Sequence, residues 1–186
     1  MPAFFVHGLI GYMLYDIKGL IYGILPDLIG FGYYFFRLFM NYKYNYNDNI
    51  LKIISPKKMN TLDWNLYDIS HSLILWLILL YLLKEKAIYA AIIAVVMDIF
   101  LHSTSNGGWR GPTFLYPISN YVFDGYSWNK PIGIMITIIL TVLIYKYKDD
   151  IIKYLDDRIK KSEPKTGNQV IELKASEWLK DNEEKS

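Results

Sequence analysis

Residues 69–102 read ISHSLILWLILLYLLKEKAIYAAIIAVVMDIFLH, and this stretch decides the fold class. Two apolar runs, 69–83 and 87–102, flank the charged turn Lys84-Glu85-Lys86. A helix on the surface of a water-soluble bundle keeps a charged face opposite its apolar stripe. Neither run has such a face. Helices that are apolar all round need apolar surroundings on every side, so the stretch predicts a helical hairpin inside a membrane. The runs are shorter than the usual 18–20 residues of a span. Flanking Tyr, Trp and Lys at the interface make short spans workable.

Outward from the hairpin the same character holds. Residues 3–40 are apolar and aromatic, interrupted by His7, Asp16, Lys18, Asp27 and Arg37. Gly8, Gly11, Gly19 and Gly23 fit helices packed closely through small residues. Pro26 lacks an amide proton and disfavours helix just before it, so the segment is expected to break there into helices 3–24 and 27–41. Residues 42–66 are polar and rich in Asn, Lys and Tyr, which reads as a loop with room for a short surface helix. Residues 103–130, with Gly, Pro and Trp, read as an ordered loop with an aromatic belt. Residues 131–145 begin with Pro at a plausible first helical position.

The character changes at Lys146. Ile151, Ile152, Leu155 and Ile159 recur at helical spacing among charges, an amphipathic helix leaving the membrane. Residues 164–168 read as a linker and 169–186 as a short amphipathic end. The expected organisation is a membrane-embedded helical domain over 1–145 and a charged, soluble tail over 146–186. The fold class is all-α: a polytopic helical membrane protein of the cell membrane, with lipids as its partners.

Composition agrees. The 186 residues are 53% apolar and 17% aromatic, too greasy for a soluble core of this size without large exposed patches. A net charge of +2 leaves no nucleic-acid footprint. The chain has no cysteine, which excludes disulfides, thiolate nucleophiles and thiolate metal sites. No basic region precedes Lys18, so no cleaved signal peptide is expected.

Ionisable residues inside apolar segments are expensive and mark functional sites. The chain has three histidines, His7, His71 and His102, and all three fall in apolar segments. Asp27, Asp68 and Asp98 lie close to the same segment ends. Counted from Glu85 at 1.5 Å per residue, His71 stands roughly 21 Å along one arm, Asp98 about 20 Å and His102 about 26 Å along the other. They therefore reach one level. Asp98 and His102 are four residues apart and share a helix face. Imidazole and carboxylate donors together suit a divalent ion such as zinc, and a site without thiolate is more typical of hydrolysis than of a structural knot. Ser70 and Ser72 read as helix-start residues.

The same residues carry a family resemblance. His7-Gly8, Leu25-Pro26-Asp27, Ser70-His71-Ser72-Leu73 and Asp98-Ile99-Phe100-Leu101-His102-Ser103 stand in the order seen in membrane-bound metal-dependent hydrolases. That family's signature is an N-terminal His, an LPD motif, a THS-like motif and a D-x-x-x-H motif. Residues 114–119 and 123–128 resemble the loop that some members carry after the last motif. The resemblance covers roughly residues 1–145. It implies a metal held by His7, Asp27, His71, Asp98 and His102, and phosphoester or related hydrolysis. The chain departs from the pattern at three places: Asp63-Trp64-Asn65 replaces an HR pair, Ala94 replaces a further His, and Leu28-Ile29 follows the LPD. Those departures imply a site poorer in ligands than its relatives'.

The leading expectation is a membrane-embedded, metal-dependent hydrolase acting on a phosphoester or lipid-like substrate. Asp27 and Asp98 are its expected catalytic carboxylates, and Asp68 and Arg110 its expected contacts to an anionic group. Two rivals use the same residues differently. In one the His/Asp cluster only pins helices of a non-catalytic scaffold. In the other it binds or passes a cation.

Overall fold

A computed structural model describes residues 2–44, 58–103, 110–128 and 130–162. Among these the protein is helical, with no strand: α1 (Pro2–Tyr44), α2 (Thr61–Ser70), α3 (Leu73–Leu83), α4 (Ile88–Leu101) and α5 (Pro131–Ser162). The 164–168 linker and the closing segment expected from sequence lie outside the described residues.

α1 corrects the expected break at Pro26. The helix runs through Pro26 and instead leaves helical geometry at Tyr15 (φ −141°, ψ 30°) and Asp16 (φ 52°, ψ −141°). The chain reverses there. A Cβ placed on Gly11 would stand 2.0 Å from the Gly19 carbonyl oxygen, and one on Gly23 would stand 2.5 Å from the His7 carbonyl oxygen. In a continuous helix those pairs would be about 12 and 24 Å apart. Arms 2–14 and 17–44 are thus antiparallel, in backbone contact through glycine. The first arm is about 20 Å long and the second about 42 Å, so the second has the length to cross a 30 Å hydrocarbon core.

α2 begins inside a stretch whose composition reads as loop. Asn60 caps it reciprocally with Asp63: the Asp63 amide donates to Asn60 Oδ1 at 2.9 Å and the Asn60 amide to Asp63 Oδ2 at 2.7 Å. Arg37 pairs with the same Asp63 carboxylate and donates to the Lys58 carbonyl at 2.9 Å, tying the second arm to the start of α2. α2 and α3 meet at a 51° bend. Two side chains hold it. Trp76 Nε1 donates to the Ser70 carbonyl at 2.6 Å, and Ser72 caps α3 while donating to the Tyr116 carbonyl, also at 2.6 Å.

α3 and α4 form the central hairpin. Trp76, Ile88, Ala91, Val95 and Ile99 make its core, against Tyr22 and Leu25 of α1. On the other side Ile10, Leu14, Met97 and Leu101 pack against Ile136, Ile144 and Ile151 of α5. Residues 110–128 are stitched across the helix ends: the Leu73 amide donates to the Phe114 carbonyl, and the Gly125 and Tyr126 amides to the His102 and Phe100 carbonyls. The Tyr116–Pro117 bond is cis.

Two helices are long and apolar enough to cross a membrane, and α2 with α3 adds a third crossing if the bent pair counts as one broken span. Their outer faces are apolar: Leu77, Ile78, Leu82, Ile134, Ile138 and Val142 are all exposed. An apolar exposed surface of that extent suits lipid contact. The chain divides into two compact units, Met1–Ile152 and Lys153–Ser186, and α5 bends at Tyr147. Within the second unit Arg158 lies over Tyr154 and donates to its hydroxyl at 2.9 Å.

Candidate metal centre

The polar residues inside the bundle come together. Four pieces of chain deliver them to one level: the two arms of α1 supply His7 and Asp27, the α2–α3 bend supplies His71, and α4 supplies Asp98. The Asp16 reversal sets the level of the first two. His7 lies nine residues before it and Asp27 eleven after, about 14 and 16 Å along their arms. His7, His71 and Asp98 are each at most 2% exposed, and Asp27 is 8% exposed.

Each carboxylate stands between two histidines. Asp98 places one oxygen 3.5 Å from His7 Nε2 and the other 3.3 Å from His71 Nε2. Asp27 places one oxygen 3.1 Å from His7 Nδ1 and the other 3.4 Å from His71 Nε2. The group His7, Asp27 and Asp98 offers one ligand atom each, all within 4.8 Å of one another.

Hydrogen bonding fixes what each imidazole presents. His71 Nδ1 faces the Tyr67 carbonyl at 3.0 Å and Ser70 Oγ at 3.0 Å. A carbonyl only accepts, so Nδ1 carries the proton and Nε2 presents a lone pair when the ring is neutral. His7 Nδ1 donates to Asp27 Oδ2, again leaving Nε2 as the free donor atom. An orienting partner of this kind is the usual companion of a metal-binding imidazole. His102 Nδ1 donates to the Asp98 carbonyl at 3.0 Å and lies 3.4 Å from Asp98 Oδ1. Its contact with the cluster is therefore through the protonated nitrogen, which positions Asp98.

Four buried atoms of the cluster lack any hydrogen-bond partner: His7 Nε2, His71 Nε2 and both carboxylate oxygens of Asp98. They face one another. Charge-assisted N–H···O bonds close to about 2.7–2.9 Å, so contacts of 3.3–3.5 Å are too long for them. Atoms that ligate one tetrahedral ion at 2.0–2.2 Å stand about 3.3–3.6 Å apart. The donor set and its spacing fit a divalent ion.

The other expected residues lie beside this cluster. Asp68, one residue past Tyr67, accepts from Arg110 Nη2 at 2.7 Å. Arg110 also sits over the Trp64 ring, 4.7 Å from its centroid. Tyr67, which the motifs do not single out, stacks on His71 with ring centroids 4.2 Å apart. A signal for it exists in the spacing: Tyr67 precedes His71 by four residues and shares its helix face. No family model, curated protein or solved structure matches the chain.

Proposed function

We propose that this protein is an intramembrane metal-dependent hydrolase with a zinc centre, acting on a phosphoester or lipid-like substrate at the cell membrane. The observation that supports it most is the set of four partnerless buried atoms on His7, His71 and Asp98. Leaving such groups unsatisfied in a bundle interior is costly, and a cation satisfies all four together. The motif order and its resemblance to membrane-bound hydrolases support the same reading.

His7, His71 and Asp98 would hold the ion, with Asp27 completing the set. When bound, such an ion polarises a substrate oxygen and acidifies a water. Asp98, almost wholly buried between the two imidazoles, serves to hold charge. Asp27 is the carboxylate with access to the outside, its side chain 11% exposed against 1% for Asp98. It is the group placed to accept a proton. The His7 Nδ1–H bond to Asp27 Oδ2 holds that carboxylate in place. The ring of helices keeps bulk water out, so the substrate enters from the membrane or from the side covered by residues 110–128.

The test is elemental analysis of detergent-purified protein, wild type beside His71→Ala. The reading expects near-stoichiometric zinc in the wild type and its loss in the variant. A metal-free wild type that still folds would leave the scaffold reading, in which the histidines are protonated and pair with the carboxylates. Metal without hydrolysis, but with cation flux in liposomes, would favour the transport reading.

A further inference from the structure

Next to the cluster, on the α2 side, three residues have polar capacity that the metal centre does not use. Tyr67 is 2% exposed, and its hydroxyl is buried without a hydrogen-bond partner. The hydroxyl lies close enough to Asp98, Asp27, Arg110 and Asp68 to feel all four charges. Its ring is clamped by His71 on one face and by Phe31 and Trp64 around it, with centroids 4.2, 5.1 and 5.9 Å away. A phenol held this rigidly and left unbonded is a donor waiting for an acceptor. Asp68 spends one oxygen on Arg110, and its other oxygen is buried and partnerless. Arg110 is 30% exposed at its side chain, so its guanidinium reaches from the buried acid toward the outside.

We propose that Tyr67 and Arg110 form an oxyanion subsite of the metal centre, which takes the phosphate group of a phosphoester, with Asp68 as the residue that positions Arg110. The inference rests on the hydrolase reading of the centre. The chemistry is complementary. A guanidinium presents a planar fork that matches phosphate oxygens, and stacking on Trp64 restricts its plane. The Tyr67 hydroxyl, on a ring packed against His71, would donate to an oxygen on the metal side. Asp68 is an acid and repels an anion, so its part is to hold the guanidinium in place. A substrate without acceptor oxygens would leave both donors unused.

The experiment uses the full chain in detergent, loaded with zinc, and titrates it with inorganic phosphate by calorimetry. A parallel arm measures binding to phosphatidylcholine vesicles containing phosphatidic acid. Tyr67→Phe, Arg110→Gln and Arg110→Lys are compared with wild type, and the zinc content of each is measured. Hydrogen bonds to charged groups are worth about 1.5–3 kcal/mol, so each variant should bind phosphate about 10–150-fold more weakly at unchanged zinc content. Tyr67→Phe keeps the ring stack, and Arg110→Lys keeps the charge while removing the fork. Stronger binding to the vesicles identifies a lipid headgroup, and stronger binding of the free anion a soluble phosphoester. Either one supports the subsite. Zinc-loaded wild type that binds neither probe overturns it, as does equal affinity in all variants; the metal centre survives both results. Wild type that takes up no zinc removes the hydrolase reading and the subsite together.

Discussion

His71 and Asp98 face each other across the α2–α3 bend and α4, with Nε2 and Oδ2 3.3 Å apart and neither atom hydrogen-bonded. His71 cannot offer a proton there while Nδ1–H is held by the Tyr67 carbonyl and the ring is neutral. Two lone pairs therefore point at one another, an arrangement that only a shared cation or a second proton on the ring makes favourable.

The two possibilities separate in a melting experiment. With an ion, a chelator should lower the melting temperature of the wild type, and ligand at 100 times its dissociation constant adds about 2.7 kcal/mol. Asp98→Asn should melt at one temperature with or without chelator. His71→Ala should lose more metal affinity than the about 10–100-fold typical of an outer partner. A wild type indifferent to chelator, with His71→Ala destabilised by about 3–5 kcal/mol as for a broken buried ion pair, would establish the structural pin instead.

Asp16 is the residue on which α1 reverses, at φ 52° and ψ −141°. Backbone of that kind is strained for a residue with a Cβ, by about 1–3 kcal/mol. Glycine relieves the strain and gives back about 0.5–1 kcal/mol through unfolded-state entropy. Asp16→Gly should therefore stabilise the protein by about 1 kcal/mol in thermal melts in detergent. Asp16→Val should destabilise it, and equal melting temperatures for the two would mean the reversal is not strained.

The hairpin at 69–102 is legible in the sequence because a helix apolar on every side has few places to be. The reversal at Asp16 is not, because Pro26 gives the louder signal. Proline in a membrane helix removes one ladder hydrogen bond, a loss that packing can absorb. A full reversal needs two backbones to touch. The residues that allow it are nonetheless regularly placed: Gly11 and Gly19 stand symmetrically about Tyr15, as do His7 and Gly23. The level shared by His71 and Asp98 follows from counting residues. The orientation of each imidazole does not, since it depends on carbonyls of the bend that no spacing reveals. Tyr67 is hidden among 17 tyrosines, and nothing in its immediate sequence sets it apart from them.

Lys18 and Glu85 join the α1 reversal to the α3–α4 turn, with Nζ and Oε2 3.0 Å apart. The Lys18 hydrogen bond, helped by the Ala87 amide, holds the Glu85 carboxyl below its ordinary range. A depressed folded-state pKa contributes stability above the unfolded value, near 4.5, and that contribution is lost as pH falls through the folded pKa. The Lys18 side chain is 69% exposed, so the effect should be small and weakened by salt. Glu85→Gln should flatten the acid side of the stability profile below about pH 4.5 and leave metal content unchanged. An unchanged acid limb at low salt would show that the pair does not hold in solution.

Gly30 lies on the second arm of α1, one turn past Asp27, against the C-terminal end of α2. A Cβ there would stand 2.9 Å from Ser70 Oγ and 3.2 Å from His71 Cε1. Ser70 Oγ shares His71 Nδ1 with the Tyr67 carbonyl that fixes its proton, so any shift of Ser70 or of the ring is passed to Nε2. Gly30→Ala should displace the imidazole by a few tenths of an ångström and weaken zinc binding by about tenfold, the low end for a disturbed outer partner. Gly30→Val should weaken it further. Gly32 is the control on the same helix: nothing lies within 4 Å of where its added methyl would stand. Gly32→Ala should leave zinc affinity alone and add up to about 1 kcal/mol through helix propensity. Zinc affinities measured by competition with a chromogenic chelator decide the matter. Equal values for the Gly30 and Gly32 variants would mean that the close approach of α2 does not set the position of His71.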